Sequence, residues 1–254
     1  MIGLNQAQIE QVLQCGSVMV FDELDSTNEY LLQHYANLAS GTVCLAETQT
    51  AGRGRRGRQW YSPQGQNLYF SMLWKYPTAS VADISSLSLA VAVVIAETFE
   101  RLGVEDIQIK WPNDIYYQGK KAGGILIESK MDREQISLVI GIGLNVAMAA
   151  VDPRVVTQAW ADFSRYHFDR NQLAATLAAG LQQMLLEFPQ SGFEPYVARW
   201  QKFDLFYQKS VKLITANAEI TGVSQGINHK GELLLAQQSG TQAFAIGEIS
   251  LRGN

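Results

Sequence analysis

Residues 85–102 read Ser-Ser-Leu-Ser-Leu-Ala-Val-Ala-Val-Val-Ile-Ala-Glu-Thr-Phe-Glu-Arg-Leu, a helix-length segment that is apolar nearly all round. A helix with no polar face to give to water is stable only inside a core. Gly103 follows at a natural C-cap position. The longest apolar stretch, residues 87–96, is about half the length needed to span a bilayer, so the segment calls for a protein core and not for a membrane. At 254 residues and 47% hydrophobic, the chain has enough material for one large domain and a small one around such a helix.

The remaining pattern favours an α+β fold over a doubly wound parallel sheet. Residues 2–13 form a weak amphipathic helix and residues 18–24 a strand. Asp25, Ser26, Thr27 and Asn28 offer caps for a helix over residues 29–38. Residues 42–47 and 67–75 read as strands, and a meander of strands follows at 107–111, 114–117, 124–129 and 136–145. Gln118, Gly119, Lys120 and Lys121 sit at a hairpin tip. Helices are expected over 171–188 and 193–206. After Tyr207 the character changes to four short strands at 210–214, 218–224, 232–237 and 241–249, whose regular spacing suggests a small β-barrel. The division expected is 1–208 and 209–254. Cys15 and Cys44 lack CxxC spacing and read as buried thiols in a reducing compartment.

Residues 52–60, Gly-Arg-Gly-Arg-Arg-Gly-Arg-Gln-Trp, carry four arginines in a chain of net charge -4. Glycine lets the backbone come close to a ligand, and arginine offers a planar fork for phosphate or carboxylate. The segment reads as a mobile cover for an anion. Gly52, Gly54 and Gly57 satisfy the G-x-G-x-x-G string, but the dinucleotide motif needs a helix starting at the third glycine, and Gln59-Trp60-Tyr61-Ser62-Pro63 starts none. A P-loop fails on the same ground and lacks its Lys-Ser/Thr. An RNA-binding tract would bring more charge and more aromatics than Trp60 and Tyr61. A solvated surface loop is the remaining bland reading, and the absence of any acid within the segment counts against it.

Two further clusters stand out. Lys110-Trp111-Pro112-Asn113-Asp114 forms a rigid strand junction, followed by Lys121 and the pair Gly123-Gly124. Gly141-Ile142-Gly143-Leu144-Asn145 places alternating glycines in a strand, which weakens it unless a ligand or another backbone comes near. Lysines, arginines and one aspartate together describe an anion site whose carboxylate is able to hold Mg²⁺ or orient a nucleophile. His34, His167 and His229 have no zinc-like spacing, and no G-x-S-x-G elbow is present.

Taken in order, Asp25-Ser26-Thr27-Asn28, the Gly-Arg-Gly-Arg-Arg-Gly loop, Lys-Trp-Pro-Asn-Asp, the stretch from Lys121 to Ile125, Gly-x-Gly-x-Asn and the closing residues 247–252 resemble the biotin protein ligases. The resemblance covers essentially the whole chain. It implies an α+β catalytic domain of the class II aminoacyl-tRNA synthetase-like type, with a mixed sheet, followed by an SH3-like barrel. It also implies a two-step reaction: biotin and Mg-ATP give biotinyl-5′-adenylate, and a lysine of the biotin carboxyl carrier protein of acetyl-CoA carboxylase then takes the biotinyl group. By resemblance Ser26, Thr27, Asn28, Gln49, Gly52, Arg53, Gly54, Arg55, Lys121 and Gly124 would bind biotin. Arg53, Arg55, Trp60, Lys110, Asn113, Lys121, Asn145 and Arg252 would bind ATP. Arg55, Lys121, Lys110 and Asp114 would carry catalysis, with Asp114 the candidate for the metal.

A lipoate or octanoate ligase or transferase shares this ancestral fold and is the nearest rival, while a nucleic-acid-binding regulator is the rival from another class. Only 25 residues precede Ser26, too few for the DNA-binding domain of bifunctional members: the chain is either a monofunctional ligase or one trimmed of that domain, and DNA binding by these residues is not expected. No secretory signal is visible, and a cytoplasmic location is expected. Ligand-linked dimerisation through an exposed sheet edge is a further expectation carried by the resemblance.

Overall fold

The computed structural model describes residues 3–78, 84–148, 151, 156–215, 218–246 and 250–253. Seven strands form one mixed sheet: β1 (Val18–Leu24), β2 (Val43–Gln49), β3 (Leu68–Pro77), β4 (Ile107–Lys110), β5 (Asp114–Tyr117), β6 (Lys120–Met131) and β7 (Gln135–Leu144). Their spatial order is β1-β2-β3-β7-β6-β5-β4, with β1 parallel to β2 and every other pair antiparallel. The helices are α1 (Gln6–Glu10), α2 (Thr27–His34), α3 (Leu87–Arg101), α4 (Arg170–Ser191) and α5 (Val197–Phe203). The first is shorter than the helix expected over residues 2–13. Asn5 caps it by accepting from the Gln8 N–H, and Ile9 is its one buried residue.

The two faces of the sheet have different fates, because side chains alternate along each strand. Phe70, Met72, Trp74 and Tyr76 of β3, with Leu138, Ile140 and Ile142 of β7, join the main core under α1, α3 and α4. The apolar helix α3 lies in that core with Leu87, Leu89 to Ala96, Thr98 and Phe99 buried, as its composition demands. Each fully buried Leu, Val, Ile or Phe contributes about 1.5–3 kcal/mol, so this helix alone commits much of the core's stabilisation. On the opposite face, Cys44, Leu73 and Val139 pack against Leu31 of α2 in a small cluster. That helix is only two turns long, capped by Ser26. It covers part of the face and leaves the rest of the same face as the floor of a cavity.

The C-terminal part holds five described strands, not four: β8 (Ser210–Ile214), β9 (Glu219–Ile227), β10 (Leu233–Gln237), β11 (Gly240–Phe244) and β12 (Ser250–Gly253). They pair antiparallel in the order β11-β10-β9-β8-β12. The strand expected over 241–249 is therefore split, and residues 247–249 of it lie outside the described residues. Among the described residues this is a five-stranded sheet whose first and last members have no pairing recorded between them, and the expected closure into a barrel is not seen. It is docked on the large sheet. The Trp111 indole donates to Gly231 O at 3.1 Å, and Leu205 N–H donates to Ile109 O at 2.9 Å. Both cysteines are free thiols. Cys44 is buried, which pushes its thiol up to about 12, whereas Cys15 is exposed, against the expectation for it.

Asp204 sits at this junction. Its Oδ1 accepts from the Phe206 N–H at 2.9 Å, while Oδ2 is buried with no hydrogen-bond partner. Burial pushes its carboxyl up from 3.8 to about 6, against smaller opposing effects of the Phe206 N–H and Lys209. A carboxyl whose folded-state value is raised costs nothing at low pH, where both states are protonated. The cost grows as pH passes 3.8 and is complete above about 6. Asp204→Asn keeps the acceptor and removes the charge. It is therefore expected to be more stable than the parent above pH 7, by up to about 3 kcal/mol, with the difference vanishing near pH 4. Denaturant melts across pH check this, and a parent that is the more stable partner at pH 7 would contradict it.

Candidate active site

The cavity has a volume of about 530 Å³. Its floor is the open half of the sheet: Tyr69 and Ser71 of β3, Gly141 and Gly143 of β7, Gly124 and Leu126 of β6, and Asp114 of β5. Its wall on one side is the start of α2, and its cover is the segment from Arg53 to Tyr61.

The cover is a tight hairpin, not an open tract. Gly54 N–H donates to Arg58 O at 2.7 Å and Trp60 N–H to Gly52 O at 2.8 Å, and a bridge joins Arg53 to Gln59. A single 3-10 turn, Arg55–Gly57, lies at its apex, and Arg58 is extended, so no helix follows the third glycine. The acids absent from the segment come from elsewhere. Glu29 and Glu128 pair with Arg53. The Arg55 Nη1 donates to Asn113 Oδ1 at 2.8 Å. Burial lowers the Arg55 guanidinium below its ordinary value, with Arg56 adding to the effect and Asp114 opposing it.

The alternating glycines of β7 make room for side chains. A Cβ at Gly141 would lie 2.2 Å from Asn28 Oδ1, and one at Gly143 would lie 2.6 Å from the Trp60 ring. Both side chains therefore depend on a strand with nothing on that face. Asn28 is buried and fully engaged: Nδ2 donates to Glu128 Oε2 at 2.9 Å and Leu126 O at 3.2 Å, and Oδ1 accepts from Ser71 Oγ at 2.6 Å. Thr27 shares Ser71 at 2.7 Å, and Gln49 Oε1 accepts from the Thr27 N–H at 2.9 Å. The Gln49 amide donates to Ser62 Oγ at 3.0 Å. Ser26, Thr27, Asn28, Gln49 and Ser71 thus form a neutral, hydrogen-bonding end of the cavity.

The other end is charged. Lys121 is not at the hairpin tip, where it was expected. Gln118 and Gly119 form that tip with φ of 50° and 71°, and Lys121 stands inside β6. The pairing with β5 runs Tyr116 to Lys121 and then Ile115 to Gly123, so Ala122 is an extra residue, a β-bulge. The bulge turns Lys121 and Gly124 to the same face. Lys121 Nζ reaches Asp114 Oδ1 at 2.7 Å and lies over the Trp60 ring, 5.5 Å from its centroid. Lys110 points to Tyr116 Oη at 3.3 Å. Burial lowers its ammonium, Lys121 and Arg252 lower it further, and Asp114 opposes them. Asn113 donates to Ile125 O at 2.8 Å, and Asn145 to Ala161 O at 3.1 Å. Arg252 of β12 completes the lining from the small sheet.

The described lining holds seven basic residues, Arg53, Arg55, Arg56, Arg58, Lys110, Lys121 and Arg252, against the single acid Asp114. An acyl or phosphoryl anion is the ligand such a field selects. Every site residue singled out in the sequence except Gly52 lines this one cavity; Gly52 instead packs behind the hairpin, where a Cβ would lie 2.7 Å from Ser62 Oγ. Sequence reasoning missed Ser71, Ser62, Glu29 and Glu128. Each is an ordinary strand, loop or helix residue whose part depends on a partner distant in the chain. Among the described residues no group of three His, Cys, Asp or Glu is placed to hold a metal, and no helix is long and apolar enough to cross a membrane.

Comparison with known proteins agrees with this geometry. Residues 20–145 match the Biotin/lipoate A/B protein ligase family and residues 209–252 the Biotin protein ligase C terminal domain. The chain is 46% identical over 252 residues to the bifunctional ligase/repressor BirA of Escherichia coli, covering 98% of this chain and 78% of that protein. It is 30% identical over 240 residues to the biotin--[acetyl-CoA-carboxylase] ligase of Paracoccus denitrificans, covering 90% and 98%. The solved biotin protein ligase from Aquifex aeolicus, in complex with biotin and ATP, superimposes with a TM-score of 0.83 at 30% identity, over 93% of this chain and 99% of that one. With a lysine and an arginine hairpin converging on one cavity, and relatives matched along nearly its whole length, the chain belongs to the biotin protein ligase family.

Proposed function

We propose that the cavity joins biotin to AMP and then passes the biotinyl group to a lysine of a biotin carboxyl carrier protein of acetyl-CoA carboxylase. The observation that carries this reading is the polarity gradient within one cavity. Neutral donors and acceptors line one end, and cations line the other. Biotin has the same gradient, a neutral ureido ring at one end and a carboxylate at the other. Ser26, Thr27, Asn28, Gln49 and the Gly124 floor take the ring and chain. Gly54, Arg55 and Lys121 surround the carboxylate end, with Gly52 and Arg53 shaping the hairpin.

In the first step a biotin carboxylate oxygen bonds to the α-phosphorus of ATP, and the bond from that phosphorus to pyrophosphate breaks. Two anions must meet, so the Lys121 ammonium and the Arg55 guanidinium act by holding them together and by offsetting charge on the phosphate oxygens. Burial of Arg55 strengthens its interaction, because less water screens it. Lys110, Asn113, Asn145 and Arg252 line the nucleotide side, with Trp60 walling it from the biotin side. In the second step the acceptor amine bonds to the acyl carbon and AMP leaves. Asp114 is the one carboxylate of the described lining and so the group there able to take the proton that the amine sheds.

The donor set also fits magnesium that arrives with the phosphates. A single carboxylate, Asp114, suits a cation that keeps most of its ligands as water and phosphate oxygen. When bound, that ion would offset charge on the triphosphate. The lipoate reading is disfavoured, since the C-terminal match is to biotin protein ligases. The chain is expected to work in the cytoplasm, where ATP and the carrier meet.

Exchange of labelled pyrophosphate into ATP tests the reading: it is expected with biotin and not with lipoate, and exchange driven by lipoate alone would overturn it. Lys121→Ala is expected to lower the biotin-dependent exchange by roughly 10²–10³-fold, the loss typical of a removed transition-state donor. Exchange within a few-fold of the parent, in a variant with unchanged melting, would remove Lys121 from the chemistry.

A further inference from the structure

Arg53 and Arg55 are two residues apart, yet they are held in different ways. The Arg53 Nη2 lies 2.8 Å from Glu128 Oε2 and 3.0 Å from Oε1, and its Nη1 lies 3.0 Å from Glu29 Oε2. Its fork is thus taken up by two carboxylates on two different elements, α2 and β6. Arg55, by contrast, donates from Nη1 to the neutral Asn113 Oδ1 at 2.8 Å. Glu128 Oε2 also accepts from Asn28 Nδ2 at 2.9 Å, and Asn28 holds Ser71 and so Thr27. One carboxylate therefore ties the arginine hairpin to the neutral end of the cavity.

We propose that Glu128, helped by Glu29, is the fixed half of a charge latch that holds the hairpin closed, and that Arg53 is a positioning residue and not a ligand of the anion. The proposal rests on the reading of the cavity as a ligase site. Two anchors give the latch direction, since Nη2 on Glu128 and Nη1 on Glu29 hold the planar guanidinium from two sides and fix the hairpin's register over the floor. Partial exposure keeps it weak: the side chains of Arg53, Glu29 and Glu128 are 39%, 32% and 28% exposed. Such pairs are screened by salt and open readily, as a cover that releases at each turnover must. The pairing also offsets part of the negative charge that Glu29 and Glu128 place beside a cavity built for anions.

Glu128→Gln keeps an acceptor for Asn28 and removes the charge. In the ligand-free protein, trypsin is expected to cut within the hairpin about 5- to 10-fold faster in this variant at low salt. The difference should vanish near 1 M salt, where screening opens the parent's latch as well. Release of preformed biotinyl-adenylate is expected to quicken about 10-fold. The double variant Arg53→Ala with Glu128→Gln should release it no faster than either single variant, because both remove the same contact. Equal cutting of parent and variant at low salt, or additive effects on release, would overturn the proposal. Should Glu128→Gln fold poorly, Glu29→Gln leaves the Asn28 contact intact and must quicken cutting in the same salt-dependent way, or the latch is wrong. A parent that makes no adenylate from biotin and ATP would remove the ligase reading, while the ligand-free cutting would still judge the latch.

Discussion

Nothing in the site holds its place without the bare backbone of β7. The Asn28 amide sits where a Cβ of residue 141 would be, and the Trp60 ring sits where one of residue 143 would be. Asn28 fixes the start of α2 through Ser71 and fixes Glu128 through its amide. Trp60 fixes the end of the arginine hairpin and presses on Lys121. A glycine costs a strand roughly 0.5–1 kcal/mol against alanine. Here that cost is offset by seating two side chains that organise both ends of the cavity.

Charge follows the same logic. The chain is acidic overall, but the cavity gathers seven basic residues against one acid in its described lining. Burying that many cations together is unfavourable, which is why burial and mutual repulsion lower Arg55 and Lys110. Three features contain the cost. Arg53 is paired by Glu29 and Glu128, Lys121 is paired by Asp114, and Arg55 is hydrogen-bonded by Asn113. The remaining imbalance is the attraction offered to a phosphate.

How much of this was legible in the sequence depended on how local each signal is. The apolar helix α3 was plain, since its residues have no other place to go. The strands at 18–24, 114–117 and 210–214 were read to the residue, because alternation and turn chemistry act over a few positions. The arginine segment reads as an anion cover from its glycines and arginines, and the structure bears out the expectation that no helix follows the third glycine. What a glycine makes room for was not legible. The partners of Gly141 and Gly143 lie far back in the chain, and only the fold brings Asn28 and Trp60 to them. Lys121 was placed at the hairpin tip because a bulge at Ala122 has no composition of its own. Glu29 and Glu128 were invisible for a related reason: a lone glutamate on a helix or strand is ordinary until an arginine from another element reaches it.

The central claim is a division of labour within one cationic cavity, with Arg55 and Lys121 meeting the anion and Arg53 holding the cover. A crystal structure of the chain with a non-hydrolysable biotinyl-adenylate analogue tests it most directly. The account predicts the analogue on the floor of Gly124, Gly141 and Gly143, with Arg55 and Lys121 Nζ within hydrogen-bond distance of its phosphate or acyl oxygens. Arg53 should still be paired with Glu128. An analogue bound elsewhere, or an Arg53 turned from Glu128 onto the phosphate, would contradict it.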